Sequence, residues 1–202
     1  MKHRRFRFWR LWLPALLLAG LAPAWTADAA SMTLEDYEVG PYTLGGEFTL
    51  TNHLGQKTRL SQYRGKVVAI FFGYTFCPDV CPTTLTEMQR MQKLLGKDAS
   101  RVQSLFITID PARDTAGRLK SHLANFGGNI VGLTGSQSEI GAVATLFQAR
   151  FARGTATTAG GYLMDHTSFV YLLDGTGKVR YVMTPDAGGD VMAAGARRLL
   201  KG

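Results

Sequence analysis

The hydrophobic pattern changes period along the chain, and each change marks an element. Residues 47–51 and 57–60 alternate between apolar and polar positions around Asn52-His53-Leu54-Gly55, which predicts a hairpin. Residues 67–72 are continuously apolar and rich in β-branched and aromatic side chains, as in a central strand buried on both faces. Leu85, Met88, Met91, Leu94 and Leu95 then fall at helical spacing, predicting a helix over residues 82–95 that Gly96 ends. Further on, the pattern predicts a strand over 102–109, a helix over 115–126 with Asp114 as its N-cap, and a short strand over 130–133. A helix over 139–151 follows, after Ser136 or Ser138. Residues 148–163, with Gly154, Gly160 and Gly161, carry few structure-forming positions and are expected to be a loop. Residues 167–173 and 179–184 flank Asp174-Gly175-Thr176-Gly177 as a second hairpin, and the Ala-rich residues 191–200 close the chain as a helix.

Strands alternating with helices imply parallel pairing and right-handed crossovers. A strand, helix, strand, helix core closed by a hairpin and a last helix is the order of a thioredoxin-like α/β domain. The expected architecture is a central mixed sheet flanked by helices, with an N-terminal hairpin. Residues 46–202 would form this domain, residues 30–45 a linker or irregular lead-in, and neither a repeat nor a second domain is visible.

Charge separates the leader from the rest. Lys2, Arg4, Arg5, Arg7 and Arg10 precede an apolar run over residues 11–25, so residues 1–29 are expected to be a targeting segment. Ala27 and Ala29 offer a small-residue cleavage site, with Ala22 to Ala24 an earlier one. The apolar run is shorter than the ~20 residues of a membrane-crossing helix, but Phe6, Phe8 and Trp9 could extend it, so a cleaved signal and a retained anchor both fit. A twin-arginine signal at Arg4-Arg5 is the lesser reading. Cleavage after Ala29 would lower the formal charge from +8 to +4, which removes the main support for nucleic-acid binding. No cysteine precedes Cys77, so lipid modification of an N-terminal cysteine is not expected. An Arg-rich leader with no acid before Asp28 suits a bacterial envelope and, as an alternative, the mitochondrial inner membrane.

A thiol pair in an oxidising compartment is seldom accidental, and this chain has two cysteines, Cys77 and Cys81. Their spacing brings them to one face where strand passes into helix, and the helix N-terminus favours thiolate. Two such sulfurs could share a metal ion or form a disulfide. A disulfide closing so short a gap would constrain little of the unfolded chain. Soft thiolates select Cu(I), Zn(II) or iron-sulfur clusters and need at least one more ligand. Of the histidines, His53 falls in a turn and His122 on a helix, where packing or solvation accounts for them. His166 differs, because in this fold the start of the strand after it faces the cysteine loop, where an imidazole can complete a two-sulfur, one-nitrogen site. Asp110, Arg113 and Asp114 have a plain account as a strand-end turn and cap, with tuning or docking by Asp110 or Asp79 the minority view. Met88, Met91, Met164 and Met183 are assigned to packing rather than ligation.

The runs Phe72-Gly73-Tyr74-Thr75-Phe76-Cys77-Pro78-Asp79-Val80-Cys81-Pro82, Ile109-Asp110-Pro111-Ala112-Arg113-Asp114-Thr115, Gly132-Leu133-Thr134-Gly135 and Asp165-His166-Thr167-Ser168 together resemble the signatures of the Sco/SenC family. That resemblance implies a thioredoxin-like, envelope-facing protein whose Cys77, Cys81 and His166 bind Cu(I) or Cu(II). It implies a role in assembling the binuclear copper centre of cytochrome c oxidase, as a metallochaperone for the copper-receiving subunit or as the thiol reductant of that subunit's cysteines. A periplasmic copper donor or a thiol-disulfide reductant would be the other partner. Enzymatic activity, if any, would be thiol-disulfide exchange at Cys77 and Cys81. Thioredoxins have two residues between their cysteines and a proline before the facing strand; here there are three residues, and no proline lies between Pro111 and Pro185. Tyr74 stands where a peroxiredoxin would need Thr or Ser. No Cys-x-x-Cys-His occurs, so the chain is not a c-type cytochrome.

Overall fold

The computed structural model describes residues 32–41, 43–127, 129–156 and 161–202. The expected leader and part of the expected loop, residues 157–160, lie outside the described residues. In chain order the elements are β1 (Thr49–Asn52), β2 (Lys57–Arg59), β3 (Val67–Gly73), α1 (Val80–Leu95), β4 (Val102–Thr108), α2 (Ala116–Leu123), β5 (Ile130–Thr134), α3 (Gln137–Leu146), β6 (Phe151–Ala156), β7 (Tyr162–His166), β8 (Val170–Leu173), β9 (Val179–Met183) and α4 (Gly189–Leu199). Among the described residues, no helix is long and apolar enough to cross a membrane.

A seven-stranded mixed sheet, in the order β2-β1-β5-β4-β3-β8-β9, carries the fold. β3 pairs parallel with β4, and β4 with β5, each through a helical crossover, whereas β8 lies antiparallel on the other side of β3. Every residue of β3 and of β4 is buried, because helices cover both faces; that is the reason these two strands show apolar runs rather than alternation. The stripe Leu85, Met88, Met91 and Leu95 of α1 buries its apolar face, and Gly96 (φ +56°) ends that helix. The thioredoxin-like α/β class expected from the element order is therefore the one observed.

Four details depart from expectation. Asp114 does not cap α2: Thr115 does, its Oγ1 accepting from Arg118 N at 3.2 Å, while the Asp114 side chain turns inward and is fully buried. The α3 helix ends at Leu146 instead of continuing to 151. Phe147 plunges into the core against Phe48, Phe72 and Tyr171, and Gln148 adopts a positive φ of 52°, so the chain turns away although Phe147 and Phe151 keep a helix-like spacing. Residues expected as a loop form instead a two-stranded antiparallel sheet, β6 with β7, separate from the main one. His166 ends β7, and the next strand starts only at Val170.

The lead-in is packed onto this frame. A 3-10 turn over Leu34–Tyr37 buries Tyr37, and Glu38 bridges to Tyr181. His53 supports the first hairpin: its backbone N–H donates to the Gly132 carbonyl, and its Nδ1 accepts from Gly132 N at 2.9 Å.

Candidate metal centre

β3 runs out at Gly73, and the following loop holds Cys77 just ahead of α1, with Cys81 in the helix's first turn. This loop is fixed from below. Asp114, buried under it, accepts from Thr75 N (2.9 Å) and Thr75 Oγ1 (2.6 Å) with one carboxylate edge each, and from Thr108 Oγ1 (2.7 Å). Three donors converging on one side chain make it an acceptor-only carboxylate. Gly73 has a steric reason: a Cβ there would come within 2.8 Å of the Phe106 ring and 3.0 Å of Cys81 Sγ, so only glycine lets the sulfur lie against the end of β3.

The third group arrives from the opposite direction. His166 sits at the base of the β6–β7 hairpin, paired with Phe151, and its ring stands edge-on to Tyr74 with centroids 5.9 Å apart. The Cys77 and Cys81 sulfurs and an imidazole nitrogen of His166 all lie within 4.8 Å of one another. His166 Nε2 is 3.7 Å from Cys81 Sγ, and Nδ1 is 3.0 Å from the Thr167 carbonyl oxygen. A carbonyl only accepts, so Nδ1 carries the proton, and in the neutral ring Nε2 presents a lone pair to the sulfurs. A backbone carbonyl fixing the tautomer of a metal-ligating histidine is a recurrent arrangement in metal sites. Two sulfurs and one imidazole form a soft donor set suited to copper.

The cysteines are both free and are not equivalent: Cys81 is buried and Cys77 half-buried. Hydrogen bonding from the Cys81 thiol holds Cys77 far below the ordinary thiol range against the opposing effect of burial, with the backbone N–H groups of Asp79 and Cys81 assisting. The same contact, then burial and the neighbouring thiolate, pushes Cys81 up. The first proton to leave the pair therefore leaves Cys77, whose sulfur also accepts from Cys81 N at 3.5 Å.

Cys77, Cys81 and His166, expected from the sequence as a three-ligand set, are thus brought together, whereas the other candidates are not. His53 is occupied at the β1–β5 junction, and His122 packs on Phe106 and Phe126. Met183 is fully buried in the core, while Asp79 stands exposed at the start of α1. Asp110 pairs with Arg113 and accepts from the Tyr162 hydroxyl at 2.8 Å. Tyr74, Gly73 and Tyr162 had no assigned role in the sequence. The first two lie inside the cysteine motif and could have been suspected there; nothing local marks Tyr162.

The profile of the SCO1/SenC family matches residues 37–201. The SCO2-like protein of Rickettsia felis is 38% identical over 136 residues, 67% of this chain, and that match spans 66% of the relative's own length. Among solved structures, Bradyrhizobium japonicum ScoI with copper bound superposes with a TM-score of 0.72 at 38% identity, covering 78% of this chain and 99% of that one. BsSco, a member of the Sco family of cytochrome c oxidase assembly proteins in which a disulfide switch was identified, superposes with a TM-score of 0.66 at 26% identity, covering 81% of this chain and 97% of its own. Similar proteins occur in bacteria and in mitochondria.

Proposed function

Because this chain belongs to the SCO1/SenC family, we propose that it binds copper through Cys77, Cys81 and His166 and delivers it to the binuclear copper centre of cytochrome c oxidase. The observation that carries this reading is the convergence, within 4.8 Å, of two thiol sulfurs and an imidazole nitrogen whose tautomer is already set by the Thr167 carbonyl. Copper supplies no reaction here; it is the cargo.

The chain's residues divide the work of holding and releasing it. Cys77, half-buried and readily deprotonated, is the sulfur an incoming donor or acceptor meets first. Cys81, fully buried with its sulfur against Gly73, anchors the other side. His166 belongs to a separate hairpin and adds a third ligand without closing the site, and a low-coordinate site of soft ligands can exchange its ion with a partner. Residues 1–29, whether cleaved or retained as an anchor, would direct the domain to the periplasm or the periplasmic face of the inner membrane. There the oxidase's copper-receiving subunit and a copper donor would be its partners.

The inequality of the cysteines supports a second reading, thiol-disulfide exchange. Cys77 thiolate would attack a disulfide of the copper-receiving subunit, forming a mixed disulfide and releasing one target thiolate. Cys81, giving up its proton to that thiolate, would then displace the second, leaving the target dithiol reduced and a Cys77–Cys81 disulfide for a thiol-disulfide reductant to reopen.

The two readings separate on one set of variants of the full-length chain. With the protein reduced and anaerobic, we expect about one Cu(I) per chain, lost in Cys77→Ala and Cys81→Ala and weakened in His166→Ala. The same His166→Ala variant should still reduce a disulfide-bonded target if exchange is the function. Unchanged copper binding in all three variants would refute the site.

A further inference from the structure

His166 is carried by an element that the main sheet does not hold. The β6–β7 hairpin forms its own two-stranded sheet, and a lone hairpin is marginal in water. Between it and the body lies an open cleft of about 400 Å³, lined by Ile109, Asp110, Gln137, Phe151, Tyr162 and Met164. Apolar packing alone therefore does not fix the hairpin over the cysteines.

Polar contacts span the gap. The Tyr162 hydroxyl donates to Asp110 Oδ1 at 2.8 Å, and Arg113 Nη1 donates to the Tyr162 carbonyl at 2.9 Å. The Tyr162 ring lies between two guanidinium groups, Arg113 at 3.6 Å and Arg153 at 3.8 Å from its centroid. Arg113 is itself held by its ion pair with Asp110, which is 3% exposed. Further along β7, Met164 N donates to the Tyr74 hydroxyl at 3.2 Å, and the same Tyr74 ring borders His166. At the base, Thr167 N donates to the Arg150 carbonyl.

We propose that Asp110, Arg113 and Tyr162 are positioning residues: they clasp the β6–β7 hairpin to the end of β4 and so hold His166 at the cysteine pair. The significance for metal rests on the copper reading above, but the positioning itself does not. Asp110 and Arg113 stand four residues or fewer from Asp114, which fixes the cysteine loop from below, so one turn of chain registers both halves of the site. Opening the clasp frees the imidazole while leaving both sulfurs in place. The clasp thereby sets how readily a three-ligand site becomes a two-ligand one.

The test is Tyr162→Phe in the full-length chain, which keeps the ring between the arginines and deletes only the hydroxyl. In metal-free, reduced protein, amide hydrogen exchange at Met164, whose N–H is paired only while the hairpin sits on Tyr74, should accelerate roughly tenfold, since a hydrogen bond to a charged group is worth about that factor or more. Amides of β8 should not change. In the copper-loaded protein, release of Cu(I) to excess chelator should also quicken roughly tenfold in Tyr162→Phe. It should show no further increase when Tyr162→Phe is added to His166→Ala, because the clasp acts through the imidazole. Unchanged Met164 exchange would overturn the proposal, as would equal acceleration of the β8 amides, or a Tyr162→Phe effect on release that persists undiminished without His166. If the wild-type chain binds no copper, the copper reading fails alone, and Met164 exchange still decides the clasp.

Discussion

Replacing Asp114 by alanine should be among the most damaging single changes in this protein, although the side chain touches no metal-site atom. It is fully buried and accepts three hydrogen bonds, from Thr75 N, Thr75 Oγ1 and Thr108 Oγ1. Alanine leaves those donors without a partner in a space water enters poorly. At about 1–3 kcal/mol for each buried donor left unsatisfied, with partial relief by relaxation, the expected loss is roughly 4 kcal/mol. For a chain of this size, that corresponds to a Tm lower by about 8–16 °C. Asparagine separates the hydrogen bonds from the volume. Its Oδ1 can still accept from Thr75 N and Thr108 Oγ1, whereas its amide group faces a Thr75 hydroxyl that already receives Arg118 Nε at 3.2 Å. Only one contact is compromised, so Asp114→Asn should cost about 1–2 kcal/mol. The assay is guanidinium unfolding of the reduced, metal-free protein, monitored by far-UV circular dichroism, so that ligand binding does not contribute to stability. An alanine variant no less stable than the asparagine variant, or a loss below about 1 kcal/mol, would show that Thr75 and Thr108 find other partners and that Asp114 does not organise the loop.

Two further predictions concern titrating groups. Burial lowers the pKa of His122, outweighing the opposing influence of Asp114, and Nε2 is buried without a hydrogen-bond partner among the described residues. The unfolded chain then takes up this proton more readily, so the stability is full above the ordinary histidine value of 6.5 and is lost as pH falls below it. His122→Phe should keep the packing on Phe106 and Phe126 and flatten the unfolding free energy between about pH 5 and pH 7, leaving the part due to His53, which burial also lowers; an unchanged slope would contradict this. At the cysteine pair, iodoacetamide at neutral pH should modify Cys77 roughly tenfold faster than Cys81 in metal-free protein, read by peptide mass spectrometry, because only Cys77 combines thiolate character with exposure; equal rates would remove the distinction between the two sulfurs.

Local pattern determined much of this protein. The continuous apolar run of β3, the helical stripe of α1 and the turn residues at Asp174–Gly177 specify their elements through short-range preference and burial, and their order implies the sheet. Cys77 and Cys81 are near one another by spacing alone, and the sequence around them carries the family likeness. Tertiary structure decided what depends on distant contacts. Residues 151–156 have no strong strand pattern, and they become β6 because Phe147 is drawn into the core and Gln148 turns the chain back. Asp114 has the sequence signature of a helix cap, but Thr75, 39 residues away, and Thr108 offer it buried donors that Thr115, capping in its place, leaves it free to meet. The same holds for the third ligand position. His166 and Cys81 are 85 residues apart, and their 3.7 Å separation rests on a hairpin pinned through Tyr162, Asp110 and Arg113, a side-chain arrangement that no local pattern encodes.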